Sequence, residues 1–387
     1  MYSEIYFDNS ATTRPYDEVN DLVYDINKNF YGNPSSLHTK GIEAERKINS
    51  AREIIAKNLG AESKQIVFTS GGTESNNLAI RGYLAANQRK GRHVITTRIE
   101  HPSVLEVCSQ LDSTGYVIDY LGVNQEGLID LDELKSKITK ETVLISIIMV
   151  NNETGALQPV EEAAGIKNSV NPDAVLHTDA VQAFGKFPLT PVKWGIDLMS
   201  VSSHKVHGPK GCGALYISKK ARLKPVVYGG GQESLLRSGT ENVSGICGFG
   251  LAAEMTCKNL EYNARKVSQI KRIFMDKLSG SDFKYRIISN EKASPYILNI
   301  SFDNLKAEVL LHHLEERNIF VSTGSACSSR KKKQSHVLQS MGLPSSTIDG
   351  ALRFSFSAWN TEEEIVDTID VLKEVVPRIQ FRRNKPG

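Results

Sequence analysis

The chain has only five cysteines and two tryptophans in 387 residues, and its charges nearly cancel, leaving a formal net charge of +3. Cys108, Cys212, Cys247, Cys257 and Cys327 form no Cys-x-x-Cys pair and no even set. That argues against a disulfide framework and fits a reducing compartment, with at least one thiol free for chemistry. The near balance of charge removes any global electrostatic case for nucleic acid, and no direct DNA binding is expected. No stretch reaches the roughly 20 apolar residues of a membrane helix; the longest, residues 142–150, reads as a buried strand. The opening Met1-Tyr2-Ser3-Glu4-Ile5-Tyr6 lacks the basic start and apolar run of a secretory signal. The expectation is a cytoplasmic protein without a membrane partner.

What is present is an alternation. Apolar runs at 65–70, 93–97, 116–121, 143–150, 174–177 and 196–201 are separated by amphipathic stretches at 73–88, 103–111, 130–137 and 159–168. Strands alternating with helices imply right-handed crossovers and a mostly parallel sheet covered on both faces. After about Cys257 the texture changes to a long polar helical stretch. Short strands follow at 296–302 and 351–356, with helices at 307–317 and 362–379, the last capped by Thr361. The expected fold is therefore α/β. A large domain spans 14–257, and a smaller α+β domain combines 1–13 with 258–387. The tail from Phe381 is expected to fray.

Ligands of such sheets sit at the carboxyl ends of the strands, and that is where the reactive residues cluster. Ser202-Ser203-His204-Lys205 follows the 196–201 strand. A lysine there, flanked by hydroxyl and imidazole groups, suits an aldehyde cofactor that also carries a phosphate, and pyridoxal 5'-phosphate has both features. Ser70-Gly71-Gly72-Thr73 is a strand-to-helix turn whose bare N–H groups can cradle a phosphate; an ordinary capped turn is an equally good reading of it alone. Asp179 ends another strand, where a carboxylate could keep a pyridine nitrogen protonated, with Gln182 three residues on. His101 ends a third, placed to stack on a planar cofactor and pass protons. Asn151-Asn152 ends a fourth. His204-x-x-His207 lacks a third ligand at a useful spacing, so no metal site is expected.

In order along the chain stand Asp8-Asn9-Ser10-Ala11-Thr12-Thr13, Gly32-Asn33-Pro34-Ser35-Ser36, Thr73-Glu74-Ser75-Asn76-Asn77, Glu100-His101, Asn151-Asn152-Glu153, Asp179-Ala180-Val181-Gln182 and His204-Lys205. Arg237-Ser238-Gly239-Thr240 and Gly324-Ser325-Ala326-Cys327 follow. Together they resemble the pyridoxal-phosphate cysteine desulfurases of the class V aminotransferase group, from Asp8 to about Ile379. The resemblance implies the type I fold of pyridoxal-phosphate enzymes, with Lys205 as the Schiff-base lysine, Asp179 at the pyridine nitrogen, Gln182 at the ring oxygen and His101 stacked on the ring. It implies phosphate contacts from Gly72, Thr73, Ser202 and His204, and from Thr240 of a neighbouring subunit, hence a homodimer. Asn33, Asn152 and Arg353 match substrate-binding positions, and a guanidinium grips a carboxylate with two parallel hydrogen bonds.

Cys327 decides the reaction that the resemblance implies. It lies in the small, polar run 322–329, within a loop expected at about 322–335, and Arg330-Lys331-Lys332-Lys333 follows immediately, with cations that favour a thiolate. The other four cysteines sit in apolar patterns and read as small core residues. The expected activity converts L-cysteine to L-alanine and leaves a persulfide on Cys327. The sulfur would pass to an acceptor protein, a tRNA- or thiamine-thiolating sulfurtransferase or an iron–sulfur scaffold. The alternatives are a selenocysteine lyase or an aminotransferase of the same fold and, from another class, a non-catalytic sulfur-relay or RNA-binding adapter that uses the basic run.

Overall fold

The computed structural model describes residues 4–324 and 334–383, with the side chains of 381–383 left aside. Cys327 and the basic run 330–333 lie outside the described residues. Among those described, the strands are β1 (Ile5–Tyr6), β2 (Ile66–Thr69), β3 (His93–Thr97), β4 (Val117–Leu121), β5 (Thr142–Ser146), β6 (Val175–Asp179), β7 (Leu198–Ser202), β8 (Gly213–Ile217), β9 (Tyr285–Ile287), β10 (Ile297–Phe302), β11 (Ile319–Phe320) and β12 (Ala351–Ser355).

Strands β2 to β8 form one seven-stranded sheet in the order β2-β8-β7-β6-β5-β3-β4. Only β8 is antiparallel, to both of its neighbours, so β2 points the same way as β7. The other pairs are parallel. Strands β2, β3, β5, β6 and β7 are buried along their whole length. Their continuous apolar and β-branched runs are what a sheet covered on both faces demands. The carboxyl ends of these five strands open on one edge, and the site is built there.

Two sequence expectations need correction on this sheet. Strand β5 stops at Ser146 rather than 150; the chain then stays buried and follows β6 irregularly, with Ile147 and Met149 donating to the carbonyls of His177 and Asp179. The helix expected at 73–88 spans Gly72–Asn77 and Tyr83–Ala86 with a widened π-type turn, Leu78–Gly82, between them. The Gly82 carbonyl accepts from the Lys224 N–H. A Cβ on Gly82 would lie 2.7 Å from the Lys224 oxygen, so the close approach requires glycine there.

A second antiparallel sheet has the order β12-β10-β9. It packs with the helices Leu260–Ser279 and Glu362–Arg383 around Phe274, Leu298, Phe354 and Leu372; the rings of Phe274 and Phe354 are 4.9 Å apart. Each such side chain contributes about 1.5–3 kcal/mol on burial. The last helix continues past residue 379, through Pro377, to Arg383. Strand β1 pairs in parallel with β11, and Asp8 bridges to Ser355. The segment 5–13 thereby runs from the second sheet to the edge of the first. Among the described residues no helix is long and apolar enough to cross a membrane.

Candidate active site

At the carboxyl edge of the large sheet lies a cavity of about 200 Å³. Its wall includes Gly72, Thr73, His101, Asn152, Asp179, Gln182, Ser202, His204, Lys205 and Arg353. Ten residues singled out in the sequence thus meet at one place. Asn33 and Thr240 are exposed and are not part of this wall.

Each side chain is delivered by the end of an element. Lys205 closes a single 3-10 turn, Ser203–Lys205, directly after β7. Its Nζ donates to the carbonyls of Ser10 at 2.5 Å and Ala11 at 2.6 Å. Asp179 is the last residue of β6; Oδ1 accepts from the Val181 N–H at 3.0 Å and Oδ2 from Asn76 Nδ2 at 2.7 Å. His101 caps the helix Pro102–Asp112, with proline in the first turn where no N–H is needed.

The same cap fixes the imidazole. The Ser103 N–H donates to His101 Nδ1 at 3.1 Å, so that nitrogen carries no proton. The Ser103 hydroxyl lies 2.8 Å from the same nitrogen, and Ser103 Oγ accepts from Asn76 Nδ2 at 2.9 Å. Asn76 therefore ties His101, through Ser103, to Asp179. Burial pushes the His101 pKa down; the Asp179 carboxylate opposes this, and the Lys205 and His336 charges add to it. His204 is pushed down to about 4 by burial, helped by Lys205, Lys210 and Lys186. Both rings are therefore neutral near pH 7.

Arg353, on β12, is buried. Its Nη1 donates to the Asn152 carbonyl at 2.9 Å and its Nη2 to Asp8 Oδ1 at 2.6 Å. Its Nε is a buried donor without a partner among the described residues.

The donor set fits a phosphate-bearing pyridine aldehyde. Ser202 Oγ is buried and unpaired, beside the glycine turn that leads into Gly72–Asn77. Gly71 has φ +149°, a backbone that side chains rarely adopt. A buried hydroxyl, bare N–H groups at a helix start and a neutral imidazole can together hold an anion. The carboxylate of Asp179 and the amine of Lys205 supply the partners that a pyridine nitrogen and an aldehyde require.

Some functional neighbours were missed. Ser10 and Ala11 act through backbone carbonyls, which no side-chain pattern marks. Glu100 was quoted only beside His101. Its carboxyl is fully buried, accepting at Oε1 from Thr97 Oγ1 at 2.9 Å and from the Ile148 N–H at 2.7 Å. Burial, with a smaller push from Asp179, raises its pKa to about 8. Asn76 and Ser103 carry no side-chain signal in the sequence that sets them apart from ordinary helix-start residues.

The chain is similar in sequence and fold to known proteins. Residues 5–367 match the model of the class-V aminotransferase family. The chain belongs to that family and, within it, to the cysteine desulfurases. It is 41% identical over 382 residues to the cysteine desulfurase IscS of Dictyoglomus turgidum, covering 98% of this chain and 96% of that one. It is 42% identical to a cysteine desulfurase of Nostoc sp., covering 100% and 97%. Among solved structures, a NifS-like protein superposes with a TM-score of 0.92 at 37% identity, covering 97% of this chain and all of the other. SspA in complex with cysteine does so at 0.82 and 34%, covering 93% of this chain and all of the other. The fold is accordingly the α/β type I fold.

Proposed function

We propose that the protein is a pyridoxal-phosphate-dependent cysteine desulfurase that releases L-alanine from L-cysteine and takes up the sulfur as a persulfide on Cys327. The convergence of Lys205, Asp179, His101 and Arg353 on one cavity carries this reading. Gly72, Thr73, Ser202 and His204 would hold the cofactor's phosphate, with Asp179 at its ring nitrogen, Gln182 at its ring oxygen, His101 against its face and Lys205 at its aldehyde. When bound, the cofactor supplies an electron-withdrawing ring that makes the substrate's Cα proton acidic.

The chain's own groups do the rest. Arg353, steadied by the Asn152 carbonyl, binds the substrate carboxylate together with Asn152. The Lys205 amine takes the proton at Cα and later returns a proton to the product carbon. His101, neutral near pH 7, carries its proton on Nε2 because Nδ1 accepts from the Ser103 N–H, so it serves as a proton donor, and the substrate sulfur keeps its own proton as it is attacked. The Cys327 thiolate attacks the substrate sulfur; a new S–S bond forms as the C–S bond breaks, and the electron pair of that bond leaves with carbon, which becomes the alanine methyl after protonation. No external oxidant or reductant is needed. We further propose a cytoplasmic homodimer in which Thr240 of one subunit completes the phosphate site of the other. An acceptor protein, a tRNA-thiolating sulfurtransferase or an iron–sulfur scaffold, would then collect the sulfur.

The test is mass spectrometry of the Cys327 peptide after brief exposure to L-cysteine without reductant. One added sulfur on Cys327, with alanine released, is expected. An unmodified Cys327 in protein that holds the cofactor overturns the persulfide step.

A further inference from the structure

Lys186 follows the cavity wall in sequence, in Ala183-Phe184-Gly185-Lys186-Phe187, and is buried with an amine that the mechanism above does not use. Its Nζ donates to Gln182 Oε1 at 3.1 Å and lies 5.5 Å from the centre of the Tyr296 ring. Lysine is a poor choice for a purely structural position of this kind. Desolvating the charge is unfavourable, and a methionine would fill the same space without it. The neighbouring cations make matters worse. Burial first, and then the Lys205 and Arg353 charges, push the Lys186 amine down to about 7.

The hydrogen bonds show what the amine accomplishes. The Ser10 carbonyl can only accept, and it takes Gln182 Nε2 at 2.9 Å. The amide oxygen must then face the other way, into the buried side, where Lys186 supplies its donor. Reversing the amide would set its oxygen against the Ser10 oxygen and its NH₂ group against an ammonium. A hydrogen bond to an amide oxygen also polarises the amide and strengthens its N–H groups as donors. The same Ser10 oxygen receives Lys205 Nζ, so Lys186, Gln182, Ser10 and Lys205 form one connected chain.

We infer that Lys186 is a positioning residue: by bonding Gln182 Oε1 it fixes the amide with its NH₂ group toward the cavity wall, so that Gln182 can only donate to the oxygen of a bound cofactor. The inference rests on the cofactor reading above.

A double-mutant cycle on the holoenzyme tests it, with Lys186→Met, Gln182→Ala and the pair. The readouts are the absorbance band of bound pyridoxal phosphate and its dissociation rate. Lys186→Met should shift the band and speed cofactor loss on the order of tenfold, the scale of a charged hydrogen bond. In the Gln182→Ala background the same change should have almost no further effect. Equal effects in both backgrounds overturn the inference, because Lys186 would then act without Gln182. If Lys186→Met does not accumulate as folded protein, Lys186→Leu carries the same cycle. A wild-type protein that takes up no cofactor overturns this inference and the cofactor reading together; bound cofactor with additive losses overturns this inference alone.

Discussion

Asp8 and Arg353 form a 2.6 Å ion pair between the segment after β1 and strand β12, and Arg353 lines the cavity. The pair gives Arg353 a partner, and it also sets a carboxylate on the guanidinium that the proposed function assigns to the substrate carboxylate. Asn at position 8 keeps an acceptor for Nη2 but removes the competing charge. Asp8→Asn should therefore lower KM for L-cysteine severalfold with kcat little changed. It should also lower the melting temperature, because a buried guanidinium loses its counter-charge. A raised KM would show that Asp8 serves to aim Arg353 rather than to compete for it.

Ser202 offers a cleaner test of the phosphate cradle. Its Oγ is buried and unpaired, so Ser202→Ala removes no bond seen among the described residues. Cofactor-free protein should melt at nearly the wild-type temperature. Pyridoxal phosphate should nonetheless bind on the order of tenfold more weakly, the scale of one hydrogen bond to a charged group. Equal affinity in titrations of both proteins would remove Ser202 from the phosphate site.

Glu100 sets a pH dependence whose sign can be worked out. Its folded pKa, about 8, lies above the ordinary 4.5 because burial disfavours the charged form. The neutral carboxyl's contribution to stability is thus full below about 4.5 and is lost as pH rises through about 8. Glu100→Gln, neutral at every pH, should melt close to wild type near pH 5 and above it near pH 8.5. Melts that differ by the same amount at both values would contradict this.

The four described cysteines should be inert in the folded protein. Burial pushes Cys108 up to about 12 and Cys247 and Cys257 up to about 11, and raises Cys212 as well. Thiolate is the reactive form. Brief alkylation near neutral pH, followed by peptide mapping, should leave Cys108, Cys212, Cys247 and Cys257 unlabelled until denaturant is added. Rapid labelling of any of them would show that its burial is not maintained in solution.

Lys205, Asp179, His101 and Gly72 were legible in the sequence because each stands at or just past the end of a buried strand, and such strands announce themselves as apolar runs. Six of the seven strands of the large sheet were legible for the same reason, whereas the antiparallel β8 was not among the runs read from the sequence. The widened turn at Leu78–Gly82 was not legible; it ends where Gly82 meets Lys224, a residue far along the chain that no local pattern relates to it. Nor were the carbonyls of Ser10 and Ala11 as partners of Lys205, because backbone atoms leave no mark on residue type. Lys186 reads in sequence as an ordinary surface lysine; only packing reveals that it is enclosed and facing Gln182. Arg353 was recoverable solely through the family pattern, since an arginine in a short strand has no distinctive periodicity.

The pairing of Asp8 with Arg353 spans 345 residues, and the grip of Ser10 and Ala11 on Lys205 spans 195 and 194. During synthesis the segment that steadies the reactive amine emerges early, but the strand that fastens it, β12, emerges near the end. Contacts of such separation form late, after the loop entropy has been overcome. A nascent chain can therefore assemble the large sheet and still lack a competent pocket. The pocket is complete only once β12 has joined the segment that holds Lys205.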